Sequence, residues 1–292
     1  MQEDANVPET PVLKFGGSSV QGAERFGPHE DRLLDQCGHM GAVSDIYLLL
    51  AQRRNNARAH RLKQVARDFI LPLRAEGKVP VVVVSAFDKA TDKLEHLTAA
   101  ISDDPNSREF ARLLMSGELR ANSSLAMALE DLGCPARSMT GREAGIVTQG
   151  GPVDALVDRV DDAHVLSLID QEIVPVVAGF QGYYHDEKSG RDEVSILGRG
   201  GSNLTAVALA AALGEDCCTM LTDVCGVFDC DPRENEEACQ LDEVTAEELF
   251  TWEPLPRVIQ REAVEFACER GVDIWIRSAF DPEACGTIIR CR

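Results

Sequence analysis

No stretch of this chain approaches the ~20 consecutive apolar residues that a membrane span requires, and Met1–Glu9 is acidic and polar, unlike a secretory leader. A cytoplasmic location is the expectation. Basic residues are in equally short supply: 29 Lys and Arg stand against 49 Asp and Glu, a formal charge of −20 at pH 7. Such a surface repels nucleic acid and anionic membranes unless a large basic patch offsets it, so neither is expected as a partner. Cysteine itself is plentiful, at 10 residues, but ordered cysteine spacing is missing. Cys217, Cys218, Cys225, Cys230 and Cys239 form no clean C-x-x-C pair and have no nearby histidine, which points to reduced thiols rather than zinc ligands. Repeats and low-complexity linkers are absent, and none of the 6 histidines falls in a motif.

What is present is ample apolar material. At 292 residues and 44% hydrophobic content, the chain can build one large α/β domain or two smaller lobes. Val79–Ala86 and Val174–Phe180 are short apolar runs of the kind found in strands buried on both faces of a parallel sheet. Further strands are expected at Pro11–Phe15, Ala136–Ser138, Ile146–Val147, Val194–Leu197, Thr219–Thr222 and near Asp273–Ile276. Helices are expected over Ser107–Leu132, Leu204–Leu213, Thr245–Trp252 and Ile259–Arg270. Strands alternating with helices predict an α/β fold, a three-layer αβα sandwich around a mostly parallel sheet. Residues 1–10 read as a disordered lead-in. Residues 21–64 are weakly periodic, with helical stretches at Asp31–Cys37 and Ala42–Gln52, and the turn-rich Gly182–Asp192 reads as the join between an N-terminal lobe (11–182) and a C-terminal lobe (183–292).

Two glycine pairs carry the chemistry. Gly198-Arg199-Gly200-Gly201-Ser202-Asn203 opens the Ala-rich helix, where backbone N–H groups and the positive end of the helix dipole favour an anion. Near the other end, Lys14-Phe15-Gly16-Gly17-Ser18 puts a lysine on a short apolar strand directly ahead of a second Gly-Gly turn. The turns after Phe15, Val84, Phe180, Leu197 and Leu221 are expected to gather at one sheet edge, where open α/β sheets bind ligands. Lys14 and Arg199 then become candidates for holding phosphate oxygens, with Gly16, Gly17, Gly200 and Gly201 donating backbone hydrogen bonds.

With Val83-Val84-Ser85-Ala86, and with Thr222–Phe228 running on to Asp231-Pro232-Arg233, these motifs resemble the signatures of aspartate kinases, within the amino-acid kinase superfamily. Thr91–Leu94, Gly117-Glu118-Leu119, and Ile276-Arg277-Ser278 with Gly286-Thr287 extend the resemblance over nearly the whole chain. It implies an amino-acid kinase fold over 11–292 and ATP-dependent phosphorylation of the side-chain carboxylate of L-aspartate or a close analogue, giving an acylphosphate. In that reading Lys14, Gly16, Gly17 and Arg199 act on the transferring phosphoryl group. Ser18, Ser85, Thr91, Glu118, Arg199 and Asn203 surround the substrate. Lys14, Gly200, Gly201, Ser202, Thr222, Asp223, Phe228, Arg233 and Arg257 serve the nucleotide. Magnesium is implied as a cofactor held mainly by the nucleotide phosphates, with no metal ligands assigned to the protein. A carboxylate nucleophile is already ionised at neutral pH and needs no general base, in keeping with the lack of a motif histidine. A homodimer is consistent with open sheets of this type.

The pattern breaks in three places. Asn203 stands where aspartate kinases usually have an aspartate expected to face the substrate's ammonium group. Leu255–Ala263 departs from the Gly-Ala-Lys-Val and His-Pro-Arg run of the family, with Arg257 where a lysine is usual. The sequence stops shortly after Gly286-Thr287, so C-terminal ACT regulatory domains are expected to be absent. Two other readings follow from these breaks: a different carboxylate or carbamate acceptor, or a catalytically silent nucleotide-binding regulatory subunit.

Overall fold

In β1 (Val12–Phe15), Val12 belongs to one buried apolar cluster, and Leu13 and Phe15 to another. β2 (Val81–Val84) repeats the division, with Val81 and Val83 on one side and Val82 and Val84 on the other. Strands that are apolar on both faces require a covering layer on each. The computed structural model describes residues 10–20, 45–87, 89–105, 107–198, 200–230, 235, 237–252, 255, 256 and 258–291, with the backbone alone for 45–54. The expected lead-in up to residue 9 and the whole of 21–44, Asp31–Cys37 included, lie outside the described residues.

The remaining strands are β3 (Ala136–Met139), β4 (Ile146–Gln149), β5 (Leu156–Val160), β6 (Val174–Ala178), β7 (Gln181–Asp186), β8 (Arg191–Ile196), β9 (Cys217–Thr222), β10 (Glu243–Thr245), β11 (Asp273–Ser278) and β12 (Thr287–Arg290). The helices are α1 (Gly17–Val20), α2 (Asp45–Val65), α3 (Leu71–Ala75), α4 (Ala90–Ile101), α5 (Ser107–Leu114), α6 (Ser116–Asp131), α7 (Ala163–Asp170), α8 (Gly201–Ala212), α9 (Ala246–Phe250) and α10 (Arg261–Arg270). The main sheet has eight strands in the order β10-β12-β11-β9-β1-β2-β6-β3. Every neighbouring pair in it is parallel except β11 with β12. The α/β sandwich expected from the sequence is therefore present, with helices on both faces of a mostly parallel sheet.

α8 and α10 cover one face. α8 is lined with buried small residues from Ala206 to Ala210, which lets its backbone lie close over β1, β2 and β9. α6 covers the other face through Ala121, Leu125 and Leu129, alongside Leu62 and Val65 of α2. Between α2 and α3 the helix widens into a π-helical stretch at Ala66–Ile70. Pro72 accounts for it, since its ring would meet the carbonyl four residues earlier in a regular α-helix.

Two expectations need correction. Ser107–Leu132 is not one helix: it breaks at Met115, where the Ser116 hydroxyl donates to Leu113 O at 2.7 Å. Gly182–Asp192 is not a turn-rich segment but most of the β7–β8 hairpin, in a separate four-stranded sheet ordered β5-β4-β7-β8. Only the base of the hairpin is buried, at Gln181, Gly182, Ser195 and Ile196, so its outer half carries polar residues and no apolar strand signal. The edge strand β10 and its neighbour β12 escaped notice for a related reason, being three and four residues long. Among the described residues no helix is long and apolar enough to cross a membrane, and no disulfide joins the described cysteines.

Candidate active site

The alternation in β1 that buries Val12 under α8 sends Lys14 to the same face. Lys14 pairs in register with Val83 and Met220, both in the α8-side cluster. At the C-terminal end of the sheet this side chain reaches a cleft of about 550 Å³, in the usual range for small-molecule sites. Burial pushes the Lys14 ammonium down from 10.5 to about 8, opposed by the nearby Cys218 and Asp223. A cation held this weakly in its protonated form gains strongly from an incoming anion.

The opposite wall is the start of α8. Gly200 adopts φ +75, and a side chain there would also come within 2.6 Å of Gln260 Oε1. At Gly201 a Cβ would sit 2.7 Å from Leu197 Cβ and 2.9 Å from Phe180 Cδ2, so only glycine lets the helix start this close to the strand ends. Its N–H is turned back to Gly198 O at 2.9 Å.

Glu118, in the first turn of α6, closes the base of the cleft and is 3% exposed. Gly117 permits the approach, since a Cβ there would lie 3.0 Å from Ala86 Cβ. One carboxylate oxygen, Oε1, accepts from Ala86 N–H at 3.4 Å, while Oε2 is buried with no protein partner. Burial raises this carboxyl from 4.5 to about 7, opposed by hydrogen bonds from the backbone. Asn203, 6% exposed, donates through Nδ2 to Gln260 Oε1 at 2.8 Å and leaves Oδ1 buried without a partner.

The cleft thus gathers Lys14, Ser85, Thr91, Glu118, Gly200, Gly201, Ser202 and Asn203 from the predicted set. Gly16, Gly17 and Ser18 are beside it rather than in its lining. The Gly16 N–H donates to Leu221 O at 3.2 Å and the Ser19 hydroxyl to the same oxygen at 3.1 Å, anchoring the turn on the end of β9. The Gly16 amide is engaged by the end of β9 in this structure. Thr222, Asp223 and Phe228 also lie outside the cleft lining. Thr222 ends β9 and donates to Asp223 Oδ1 at 3.2 Å, and Phe228 bridges to Gln240. Arg199, Arg233 and Arg257 lie outside the described residues.

Residues that sequence reasoning missed also line the cleft: Gln260, Asp154 and Phe180. Phe180 has φ 69 and Asp154 φ 51, left-handed conformations that no local signal announced. The Phe180 N–H is held by Thr205 Oγ1 at 3.1 Å, one turn into α8. Gln260 carried a faint signal, because it sits in the stretch where the expected family pattern fails.

The amino acid kinase family matches residues 9–278. Among curated relatives, aspartokinase from Mycobacterium bovis is 39% identical over 234 residues, covering 80% of this chain and 54% of that protein. Aspartokinase 2 from Bacillus subtilis is 42% identical over 217 residues, covering 74% of this chain and 52% of that protein. The chain spans about half the length of these relatives. The crystal structure of aspartate kinase from Synechocystis superposes with a TM-score of 0.71 at 33% identity, covering 96% of this chain and 40% of that one. From residue pattern, topology and these likenesses together, the chain belongs to the amino acid kinase family.

Proposed function

We propose that this protein transfers the γ-phosphoryl group of ATP to the side-chain carboxylate of L-aspartate or a close analogue, giving an acylphosphate and ADP. The observation that carries the reading is a single cleft holding a partly desolvated cation, Lys14, and a buried carboxylate, Glu118, under the first turn of α8. A phosphoryl donor and an amino-acid acceptor present the opposite charges. Lys14 is assigned to the transferring group, where it offsets charge that builds on the equatorial oxygens. Arg199 is assigned to a substrate carboxylate, and Ser85, Thr91, Glu118 and Asn203 to the rest of the acceptor. Gly17 and Ser18 stay assigned to the turn beside the phosphoryl group. Ser202, Thr222, Asp223, Phe228, Arg233 and Arg257 are assigned to the nucleotide.

The acceptor is held in the lobe 11–182 and the nucleotide mainly in 183–292. The attacking oxygen is already anionic, so alignment and charge neutralisation supply the rate enhancement rather than a base. Magnesium enters as a companion of the nucleotide, whose phosphates bring the oxygen donors it favours. Its chemistry there is to shield the charge of the phosphates. The cytoplasm, with its ATP, is the assigned compartment, and pairing into a homodimer is checked by light scattering.

The test is an ATP- and magnesium-dependent hydroxamate assay with L-aspartate, N-substituted aspartates, succinate and glutamate. Hydroxylamine displaces phosphate from an acylphosphate and leaves a hydroxamate, read as its coloured ferric complex. Product is expected with L-aspartate, and Lys14→Ala should lower kcat by about 100-fold or more with an unchanged far-UV spectrum. Absence of hydroxamate from every acceptor ends the proposal, and full turnover by Lys14→Ala removes that residue from it.

A further inference from the structure

No disulfide joins the described cysteines, yet two of them meet far from the cleft. Cys268 lies in the last turn of α10 and Cys291 directly follows β12, and their thiols are within hydrogen-bond reach of one another. The main chain sets them there. α10 turns into β11 through Gly271, whose N–H donates to Cys268 O at 3.2 Å while the Val272 N–H donates to Ala267 O at 3.0 Å. β12 runs antiparallel to β11 with Ile289 opposite Ile274, and continuing that register sets Cys291 against Val272. The Cys291 N–H donates to Asp273 Oδ1 at 2.8 Å, and the preceding Arg290 donates to Asp273 Oδ2 at 3.0 Å. With its backbone fixed in this way, Cys291 directs Sγ onto α10, 3.8 Å from Val264 O and one turn ahead of Cys268. Both residues are half-buried, so a small reagent can reach them.

We infer that Cys268 and Cys291 are a thiol modification site: a dithiol that closes to a disulfide by exchange with a low-molecular-weight disulfide such as oxidised glutathione, and so staples the end of β12 to α10. Burial pushes the Cys268 thiol above its ordinary value of 9.0, opposed by the contact with Cys291, while the charges of Asp273 and Glu265 add to the rise. A thiol so disposed is slow to attack first, and the opening step belongs to Cys291. The Cys291 thiolate attacks one sulfur of oxidised glutathione, whose S–S bond breaks and releases one glutathione thiolate. Cys268 then loses its proton and attacks Cys291 Sγ in the mixed disulfide, expelling the second glutathione. Two protein thiols become one disulfide, and the oxidant is reduced to two thiols that take up both protons. Because the two sulfurs are already in contact, the second step is intramolecular and the mixed disulfide does not accumulate. In a reducing compartment such a bond is transient, which suits a lock that closes under oxidising conditions and reopens afterwards.

The experiment incubates the whole folded protein with excess oxidised glutathione, blocks the remaining thiols by alkylation, and maps the digest by mass spectrometry. The expected product is a peptide pair joined through Cys268 and Cys291, lighter by two hydrogens than the separate peptides and split again by dithiothreitol. The urea midpoint of the oxidised protein should rise by about 0.5–1 M, the shift expected when the loop between positions 268 and 291 is closed, and dithiothreitol should reverse it. Cys291→Ser should abolish both the cross-link and the rise. Cys268→Ser removes the second attacking thiol, so glutathione should then remain bound to Cys291. Should Cys268→Ser unfold because its hydroxyl is half-buried, Cys268→Ala carries the same expectation. Recovery of Cys268 and Cys291 as alkylated thiols from the wild type overturns the proposal. So does a lasting glutathione adduct on the wild-type Cys291, a disulfide that joins either residue to a different cysteine, or an oxidised protein whose urea midpoint is unmoved.

Discussion

Lys14 and Glu118 are perturbed by the same cause with opposite consequences. Burial disfavours charge, so the lysine falls to about 8 and the carboxyl rises to about 7. Below about 7 Glu118 is protonated and above about 8 Lys14 is neutral, so on the proposed function the first loses its attraction for a cationic acceptor and the second its charge toward the phosphates. The expected profile of kcat/KM is a narrow bell with limbs near those two values, read with L-aspartate as the varied substrate for the acid limb and ATP for the alkaline limb. A flat profile between pH 6 and 9 contradicts it. Stability follows by linkage. Between 4.5 and about 7 the folded state binds more protons at Glu118 than the unfolded chain does, so stability falls as pH rises through that window. Glu118→Gln removes this slope, and denaturant titrations at pH 5 and pH 7.5 should show a variant gain of roughly 2 kcal/mol at the higher pH relative to the lower.

At the scale of elements, the cleft depends on where two helices are held. α8 lies against the strand ends because Gly201 has no side chain, and Gly201→Ala drives a methyl into Leu197 and Phe180. A loss of about 1–3 kcal/mol is expected, measured by urea unfolding, together with a raised KM because the helix start is displaced. α2 acts as a strap on the opposite side. From this helix Arg61 donates to Ser19 O at 2.8 Å and to Ala279 O at 2.5 Å, and stacks 4.1 Å over the Phe280 ring. One turn earlier Arg58 lies 4.1 Å over the Phe87 ring. A single helix thus ties down α1 after β1 and the loops at the ends of β2 and β11. Arg61→Lys keeps the charge but cannot reach both carbonyls with a planar fork, and should lose about 2 kcal/mol with a larger rise in KM for ATP than for the acceptor. Equal rises in both constants assign Arg61 to stability alone.

At the scale of the whole molecule, the charge of −20 opposes the arrival of an anionic nucleotide. The repulsion is long-range, acting over a screening length of ~30 Å at 0.01 M salt but only ~8 Å at 0.15 M. The attraction of Lys14 acts at contact and is screened far less. Association of the nucleotide, followed by stopped-flow fluorescence, should therefore quicken as salt rises over that interval, the opposite of a protein that captures phosphates with a basic surface. Slowing with salt places an unrecognised basic patch near the cleft.

Much of this was legible in the residues alone. The Val-rich runs of β2 and β6 announce a doubly covered parallel sheet because burial on both faces demands an unbroken apolar string. Lys14 and the glycine turns announce an anion site because their chemistry is local: a charge, a missing side chain and a helix start lie within a few residues of one another. What the string of residues did not reveal are relations across long separations. Asn203 and Gln260 are 57 residues apart, yet their side chains meet at 2.8 Å in the cleft. The left-handed Phe180 and Asp154, the hold of Arg61 on Ser19 and Ala279, and the strand character of 182–192 belong to the same class. Each is a conformation or contact that neighbouring sequence does not favour by itself and that packing of distant parts imposes. The sequence by itself determined the layers and the chemical character of the site; tertiary packing decided the shape of the cleft, because only folding settles which residues far apart in the chain come to share its walls and which buried polar atoms are left without partners.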